Sequence, residues 1–528
     1  MPETFGIFND IIGIRDETPH IKLNQAYMTS ESQWSYYDHN AVRRTKGRSL
    51  AFESVVIPDG NPILRYHFHR SVTGTDYMFA YTKAHAYIWD SVADEWDLMH
   101  TCASDCDYWS TVSYNGKVIA TNFVDKVIVW LDSTPGVAFA VMESASGIDI
   151  DGANFLTKAK FVFVYENYVM FLYTEEGGTT YAARCRWSSL GDETDFDENG
   201  AGDAGARDFT AGLWITGVGK YDAGGSSLMI IGTNQTIESQ WLVVDDLVFE
   251  WQTHKHDLGC LSPDSMVQDS LGNLYYLGTD LAFHRLLDDN PISDDIDLTM
   301  RNTHPTLRYF SRGFYAHTLN RVFWSIPSGG GATANNLVLS YNLELGMWDS
   351  MLPIAVSAFG SHSNETAYTI DTIPFSTIDT IEWDTIDSAE STVGFLEDIV
   401  SDYSGNSYFL NKTSSEDAGA SYTSKLVLGT DLSPQISLNQ YKRIDGGFWV
   451  WLKKYDVDTS EVRIYVKNDE TESYTLVNTI DTTIGFGDIV RTYCPADFRG
   501  RDFLIKIEAD NDFAFYGIIF NYSFDGES

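Results

Sequence analysis

Residues 87–99 read Tyr87-Ile-Trp-Asp-Ser-Val-Ala-Asp-Glu-Trp-Asp-Leu-Met99, and residues 341–351 read Tyr341-Asn-Leu-Glu-Leu-Gly-Met-Trp-Asp-Ser-Met351. Each opens as a strand, turns over small and acidic residues, and closes on Trp-Asp, with a shorter turn in the second. An aromatic pair placed this way packs one blade of a β-propeller against the next. The competing reading is an ordinary antiparallel sandwich with incidental tryptophans.

Outward from these segments the strand signals continue. Runs of about 4–8 β-branched and aromatic residues recur, bounded by Gly, Asn and Asp. Lys117-Val-Ile-Ala-Thr is followed by Lys126-Val-Ile-Val-Trp130, and Ser227-Leu-Met-Ile-Ile231 by residues 237–244. Gly232-Thr-Asn234 and Gly278-Thr-Asp280 offer the positive-φ positions that hairpin turns need. No stretch holds a 3.6-residue period, so the chain is mainly β. Hairpins begin near Tyr77, Val112, Phe161, Leu228, Leu274 and Phe314, a spacing centred on roughly 40–50 residues, the length of a propeller blade. The Trp-Asp pairs lack both the Gly-Gly doublet of kelch repeats and the Gly-His partner of WD repeats.

These signals predict a β-propeller of about six blades over residues 75–360, with residues 1–74 closing it or docking to a neighbour. Residues 361–420 carry 12 acids against one base, and around 371–387 they repeat Thr-Ile-Asp. They read as an extended acidic connector. Strand patterning returns over 421–528, in Arg463-Ile-Tyr-Val-Lys467 and Phe503-Leu-Ile-Lys-Ile-Glu508, and predicts a small C-terminal β-sandwich.

The charge balance is extreme: 75 Asp+Glu against 35 Lys+Arg, a formal net charge of −40 over 528 residues. With 43% hydrophobic and 14% aromatic residues, this is a foldable polyanion rather than a disordered acidic chain. It repels nucleic acid and anionic membranes at long range. No basic-then-apolar leader opens the sequence, and the most apolar run, residues 161–173, is too short to span a bilayer and carries Glu166 and Asn167 at its centre. A soluble protein without membrane insertion is expected. Five cysteines, an odd number thinly spread, fit a reducing cytoplasm better than a disulfide framework.

Few motifs carry chemistry. Cys102-Ala-Ser-Asp-Cys106 has a ligand-like gap, but no second Cys/His pair follows at zinc-finger spacing. His67-Phe-His69 and His254-Lys-His256 place two imidazoles on one strand face, which alternation alone also does. Asp195-Phe-Asp-Glu-Asn-Gly200 opens like an EF-hand loop, but its twelfth position is Ala206. No nucleophile elbow, phosphate loop, zinc-protease helix or dinucleotide fingerprint is present. Residues 401–408 fail the spacing of a sialidase box. The chain is therefore expected to have no cofactor, no resident metal and no catalytic residues. Arg43, Arg44, Lys46 and Arg48, the densest basic run, are candidates for docking an acidic neighbouring subunit. Asp192, Glu193, Asp195, Asp197, Glu198 and Asp203 are candidates for an acidic channel or interface loop.

Three segments add a likeness: Arg184-Cys-Arg-Trp-Ser-Ser-Leu-Gly-Asp-Glu-Thr-Asp-Phe196; Gly259-Cys-Leu-Ser-Pro-Asp-Ser-Met266 with Gly272-Asn-Leu-Tyr-Tyr-Leu-Gly-Thr-Asp280; and Arg499-Gly-Arg-Asp-Phe-Leu-Ile-Lys-Ile507 leading to Phe515-Tyr-Gly-Ile-Ile519. Together with the basic run they resemble the propeller-bearing tail nozzle or hub family, the tail tubular proteins, of short-tailed bacteriophages. The resemblance is one of pattern across most of the chain. It implies a structural virion protein of the phage tail, assembled in the host cytoplasm. The implied ring, commonly of six copies, sits below the portal and adaptor proteins, with tail fibres or spikes nearby, and DNA leaves through it without specific binding. The alternative is a carbohydrate-binding or carbohydrate-cleaving propeller, an adhesin or depolymerase.

Overall fold

The computed structural model describes residues 3–8, 12–16, 27–38, 41–209, 213–243, 248–363, 396–410, 416–430, 442–454, 461–468, 473–480, 489–500 and 503–524. Most of the expected acidic connector, including the Thr-Ile-Asp repeats, lies outside the described residues. The architecture is nearly all β. Among the described residues a single short α-helix appears, Asp297–Arg301. The chain divides into two compact units, each assembled from separated segments: Met1–Ser49, Leu213–Val356 and Asn411–Ser528 form one, Leu50–Gly212 and Ser357–Leu410 the other.

The unit built on residues 50–212 holds three consecutive antiparallel meanders. The first runs Ile63–Arg70, Asp76–Thr82, His85–Asp90, Glu95–Thr101, and the second Ser110–Tyr114, Lys117–Thr121, Ile128–Leu131, Ala140–Val141. The third has five strands, Ile148–Asp149, Phe155–Tyr165, Tyr168–Glu176, Thr179–Trp187 and Gly205–Asp208. A fourth sheet joins Ala358–Ser363, Leu396–Ser401 and Ser407–Phe409 to the short strand Ser49–Leu50. The polar pair inside the most apolar run forms a turn. Glu166 and Asn167, at φ 49° and 66°, are the two central residues of a hairpin that pairs Tyr165 with Tyr168. Such mirror-image turns match the twist of the strands they join.

Apolar side chains fill the spaces between successive sheets. Trp96 packs on Trp89 and Phe52 with ring centroids 5.2 and 4.9 Å apart. Trp130 packs on Tyr77 and Phe79, both at 5.0 Å. Burying each such ring contributes about 1.5–3 kcal/mol.

The other unit contains three small sheets in chain order. They comprise Ile215–Tyr221, Leu228–Thr233, Ile237–Leu242, Phe249–Lys255; then Val267–Gln268, Leu274–Leu277, Phe283–Arg285; then Arg312–Ala316, Arg321–Ile326, Leu337–Asn342, Met347–Leu352. In the second Trp-Asp segment, Trp348 is buried against Tyr341 at 5.1 Å and Phe283 at 5.5 Å. Asp349 is buried as well, accepting hydrogen bonds from Arg321, Ser340 and Asn342. In the first segment the tryptophan of the pair is buried, but Asp97 faces solvent.

Two larger sheets complete this unit. Val462–Asn468 and Phe503–Ala509 alternate buried and half-buried side chains and pair in register, Ile464 opposite Ile507. The C-terminal strands do not close on themselves. Phe513–Phe524 pairs with Lys442–Lys454 and also with Glu3–Phe8 and Ala41–Arg44, while Ser424–Thr430 pairs with Tyr27–Met28. The expected C-terminal module thus takes strands from the expected N-terminal segment, because backbone pairing has no memory of sequence distance.

Candidate functional site

The basic run lies at the end of the strand Ala41–Arg44 and in the extended segment after it. Arg44 is buried, donates to the Tyr422 carbonyl at 2.9 Å, and stacks over the Tyr422 ring at 3.9 Å. Arg48, also buried, binds both oxygens of Asp417 at 2.7 and 2.9 Å. Lys46 is paired with Asp512. Arg43 sits opposite Tyr36 and Ala514 in the strand register. Arg44 and Arg48 are therefore internal ties rather than the docking surface expected of them. A guanidinium presents a planar fork of donors that a nearby carboxylate or carbonyl satisfies within the fold.

The acidic loop is spent in the same way. Glu193 is buried and paired with Lys117. Asp192 accepts from the Thr194 hydroxyl at 2.7 Å, which holds its carboxyl below the usual range. Asp195 accepts from Ser189 at 2.7 Å, Asp197 caps the Asn199 amide at 2.9 Å, and Glu198 reaches Arg186 at 3.4 Å. Asp203 accepts from the Tyr168 hydroxyl and from the Leu190 amide. These acids shape their own loop, each bonded to a different partner. The EF-hand-like opening is one part of this self-bonded loop.

The histidine pairs resolve differently. His67 and His69 both hydrogen-bond Ser113 Oγ, each at 2.9 Å, and His67 also meets Thr111 Oγ1 at 3.1 Å. Burial lowers His67 to about 3 and lowers His69 against the opposing pull of Asp132, which favours the neutral form of both rings, and both serve the polar seam between two strands. His254 is half-buried and His256 exposed.

Cys102 gains neighbours that its sequence spacing did not reveal. His100, near the end of the strand Glu95–Thr101, and Asp125, in the turn after Lys117–Thr121, place their ligand atoms and Cys102 Sγ within 4.8 Å of one another. His100 Nε2 lies 3.2 Å from Asp125 Oδ2. The buried Asn122 amide spans the group, donating to Asp125 Oδ2 at 2.9 Å and to Cys102 Sγ at 3.6 Å. Its own carbonyl oxygen accepts the Val124 and Asp125 amides at 2.9 and 2.8 Å. Hydrogen bonding with Cys106, then burial, pushes the Cys102 thiol up. The signal available in the sequence was Asn122 through Asp125, an Asx turn, but nothing in it names His100 as its partner.

A second signal lies in the sequence itself. Asp269-Ser-Leu-Gly-Asn-Leu-Tyr275 and Asp402-Tyr-Ser-Gly-Asn-Ser-Tyr408 share the pattern Asp-x-x-Gly-Asn-x-Tyr. Asp269 accepts the Leu271 and Asn273 amides, the Asn273 side chain and the Tyr275 hydroxyl. Asp402 accepts the Ser404 and Asn406 amides, the Asn406 side chain and the Tyr408 hydroxyl. One turn chemistry has thus been used twice, in different sheets.

No family model and no curated protein sequence matches the chain. Among solved structures it is similar to an extracellular domain from B. thetaiotaomicron, at 10% identity and a TM-score of 0.36, over 57% of this chain and 38% of that one. It is also similar to a computationally designed protein, at 9% identity and a TM-score of 0.35, over 76% of this chain and 99% of that one.

Proposed function

We propose that the chain is a structural β-propeller protein of a phage tail, one copy of a closed ring through which DNA passes without being gripped. The observation that carries the propeller is the order of the strands. Seven small antiparallel sheets succeed one another along the chain among the described residues, and Ser49–Leu50, preceding the first, completes the last. A strand borrowed from the start of an array to finish its final sheet removes an open edge, as closure does in all-β repeat folds. Seven sheets replace the six expected from hairpin spacing, because Ala358–Ser363 opens one more beyond residue 350.

The tail assignment rests on the resemblance of the three quoted segments and on the charge. A ring of such polyanions repels phosphate and releases no counterions on contact with DNA, so nothing drives sticking. With Arg44 and Arg48 tied internally, this reading does not rest on those two side chains for contacts between copies.

Light scattering and negative-stain microscopy of the chain, alone and with a tail adaptor protein, test the reading. Closed rings are expected, together with no retention of DNA on filters at low salt. A monomer at every concentration that also fails to form rings with the adaptor would overturn it. Release of reducing sugar from bacterial surface polysaccharide would favour the carbohydrate-cleaving alternative instead.

A further inference from the structure

We propose that His100, Cys102 and Asp125 hold one zinc ion, with the fourth position left to water, so that the ion staples the loop after Glu95–Thr101 to the turn at residues 122–125. The three protein donors are one sulfur, one imidazole nitrogen and one carboxylate oxygen, a set that suits zinc and excludes magnesium or calcium, which take oxygen shells. Bond lengths of about 2.0–2.3 Å in a tetrahedron put ligand atoms about 3.3–3.8 Å apart. His100 Nε2 and Asp125 Oδ2 already stand at 3.2 Å, and the triad of His100, Cys102 and Asp125 within 4.8 Å, so closing on an ion takes about an ångström of side-chain movement.

Cys106 stands outside the group, its buried thiol donating to the Thr82 carbonyl at 3.9 Å. Two further features favour a cation over a simple ion pair. Asn122 holds both the carboxylate and the Cys102 sulfur from behind, the arrangement in which an outer amide orients metal ligands. His100, Cys102 and Asp125 are each only half-buried, which leaves a way in for the ion. Loading by zinc displaces one proton from the Cys102 thiol and one from the imidazole if it is charged, and no bonds form other than those to the metal.

Cobalt(II), a spectroscopic stand-in for zinc, tests the site on the full chain kept under reductant. The expected result is one cobalt per chain, visible tetrahedral bands, and thiolate-to-cobalt charge transfer that Cys102→Ser abolishes. Asp125→Ala and His100→Ala should weaken binding at least about tenfold. Cys494→Ser, a buried thiol elsewhere in the fold, should change nothing. A measurement that needs no variant is alkylation of Cys102 with and without zinc, read by peptide mass spectrometry, where protection by zinc is expected. Overturning results are absence of stoichiometric cobalt, charge-transfer bands indifferent to Cys102→Ser, or equal alkylation with and without zinc.

Discussion

The guanidinium of Arg186 donates two hydrogen bonds of 3.0 Å each to the carboxylate of Glu176, and both side chains are buried. They lie on the adjacent strands Tyr168–Glu176 and Thr179–Trp187. Thr174 Oγ1 at 2.7 Å and Arg184 Nη1 at 2.8 Å occupy the remaining lone pairs of the carboxylate. A well-satisfied buried pair adds little net stability over an apolar one, but removing one partner strands a charge in a dry site.

Glu176→Gln is therefore expected to lower the unfolding free energy by about 3–5 kcal/mol, and Glu176→Met with Arg186→Met by clearly less. The pair also sets a pH dependence. Burial alone would raise Glu176, yet the hydrogen bonds and charge of Arg186 outweigh it and hold the carboxyl below its ordinary range. A carboxylate depressed in the folded state contributes stability that is fully present above its unfolded pKa and lost as pH falls through its folded one. Urea denaturation at stepped pH should show stability falling below about pH 4.3, with a shallower fall in Glu176→Gln. An equal slope in both proteins would contradict the assignment.

The turn at Asp402 makes a separate prediction. Its carboxylate accepts four hydrogen bonds, between 2.8 and 3.0 Å, inside seven residues. Asp402→Ala is expected to cost about 2–4 kcal/mol, since several donors lose a charged acceptor together. Gly405 at φ 81° is equally constrained, because a Cβ there would stand 2.5 Å from Ile57 Cγ2. Gly405→Ala should cost more than about 1 kcal/mol. Thermal unfolding of both variants checks this, and a neutral Gly405→Ala would refute the turn geometry.

Arg48 offers the third. Its two bonds to Asp417 join residues far apart in the chain, and Lys cannot reproduce the fork. Arg48→Ala should lower stability by about 1.5–3 kcal/mol and leave the oligomeric mass unchanged. If the variant kept its melting temperature but lost its assembly state, the basic run would be a docking surface after all.

How legible was this in the sequence? Each expected hairpin start, from Tyr77 to Phe314, falls in a strand, because alternation and turn chemistry are local and strong. Trp348 was legible as a core residue for the same reason. The pairing of Phe513–Phe524 with Glu3–Phe8 was not, since a strand's pattern states which face is buried and never which strand lies beside it. The same limit explains the charged candidates. Composition marked Arg44, Arg48 and Glu193 as charged and clustered, and only the fold supplied Tyr422, Asp417 and Lys117 to absorb them. His100 and Asp125 meet because a strand end and a turn converge, which spacing rules for metal ligands do not cover.

The shared sheet has a consequence for synthesis. Glu3–Phe8 leaves the ribosome first among the described strands, yet its partner Phe513–Phe524 is made about 500 residues later. At roughly 5–20 residues per second the early strand waits between about half a minute and two minutes with its hydrogen-bonding edge unfilled. An unfilled edge recruits other strands, including those of a nascent neighbour on the same messenger. The excess of negative charge then acts before folding is finished, keeping half-made chains apart until that partner strand arrives.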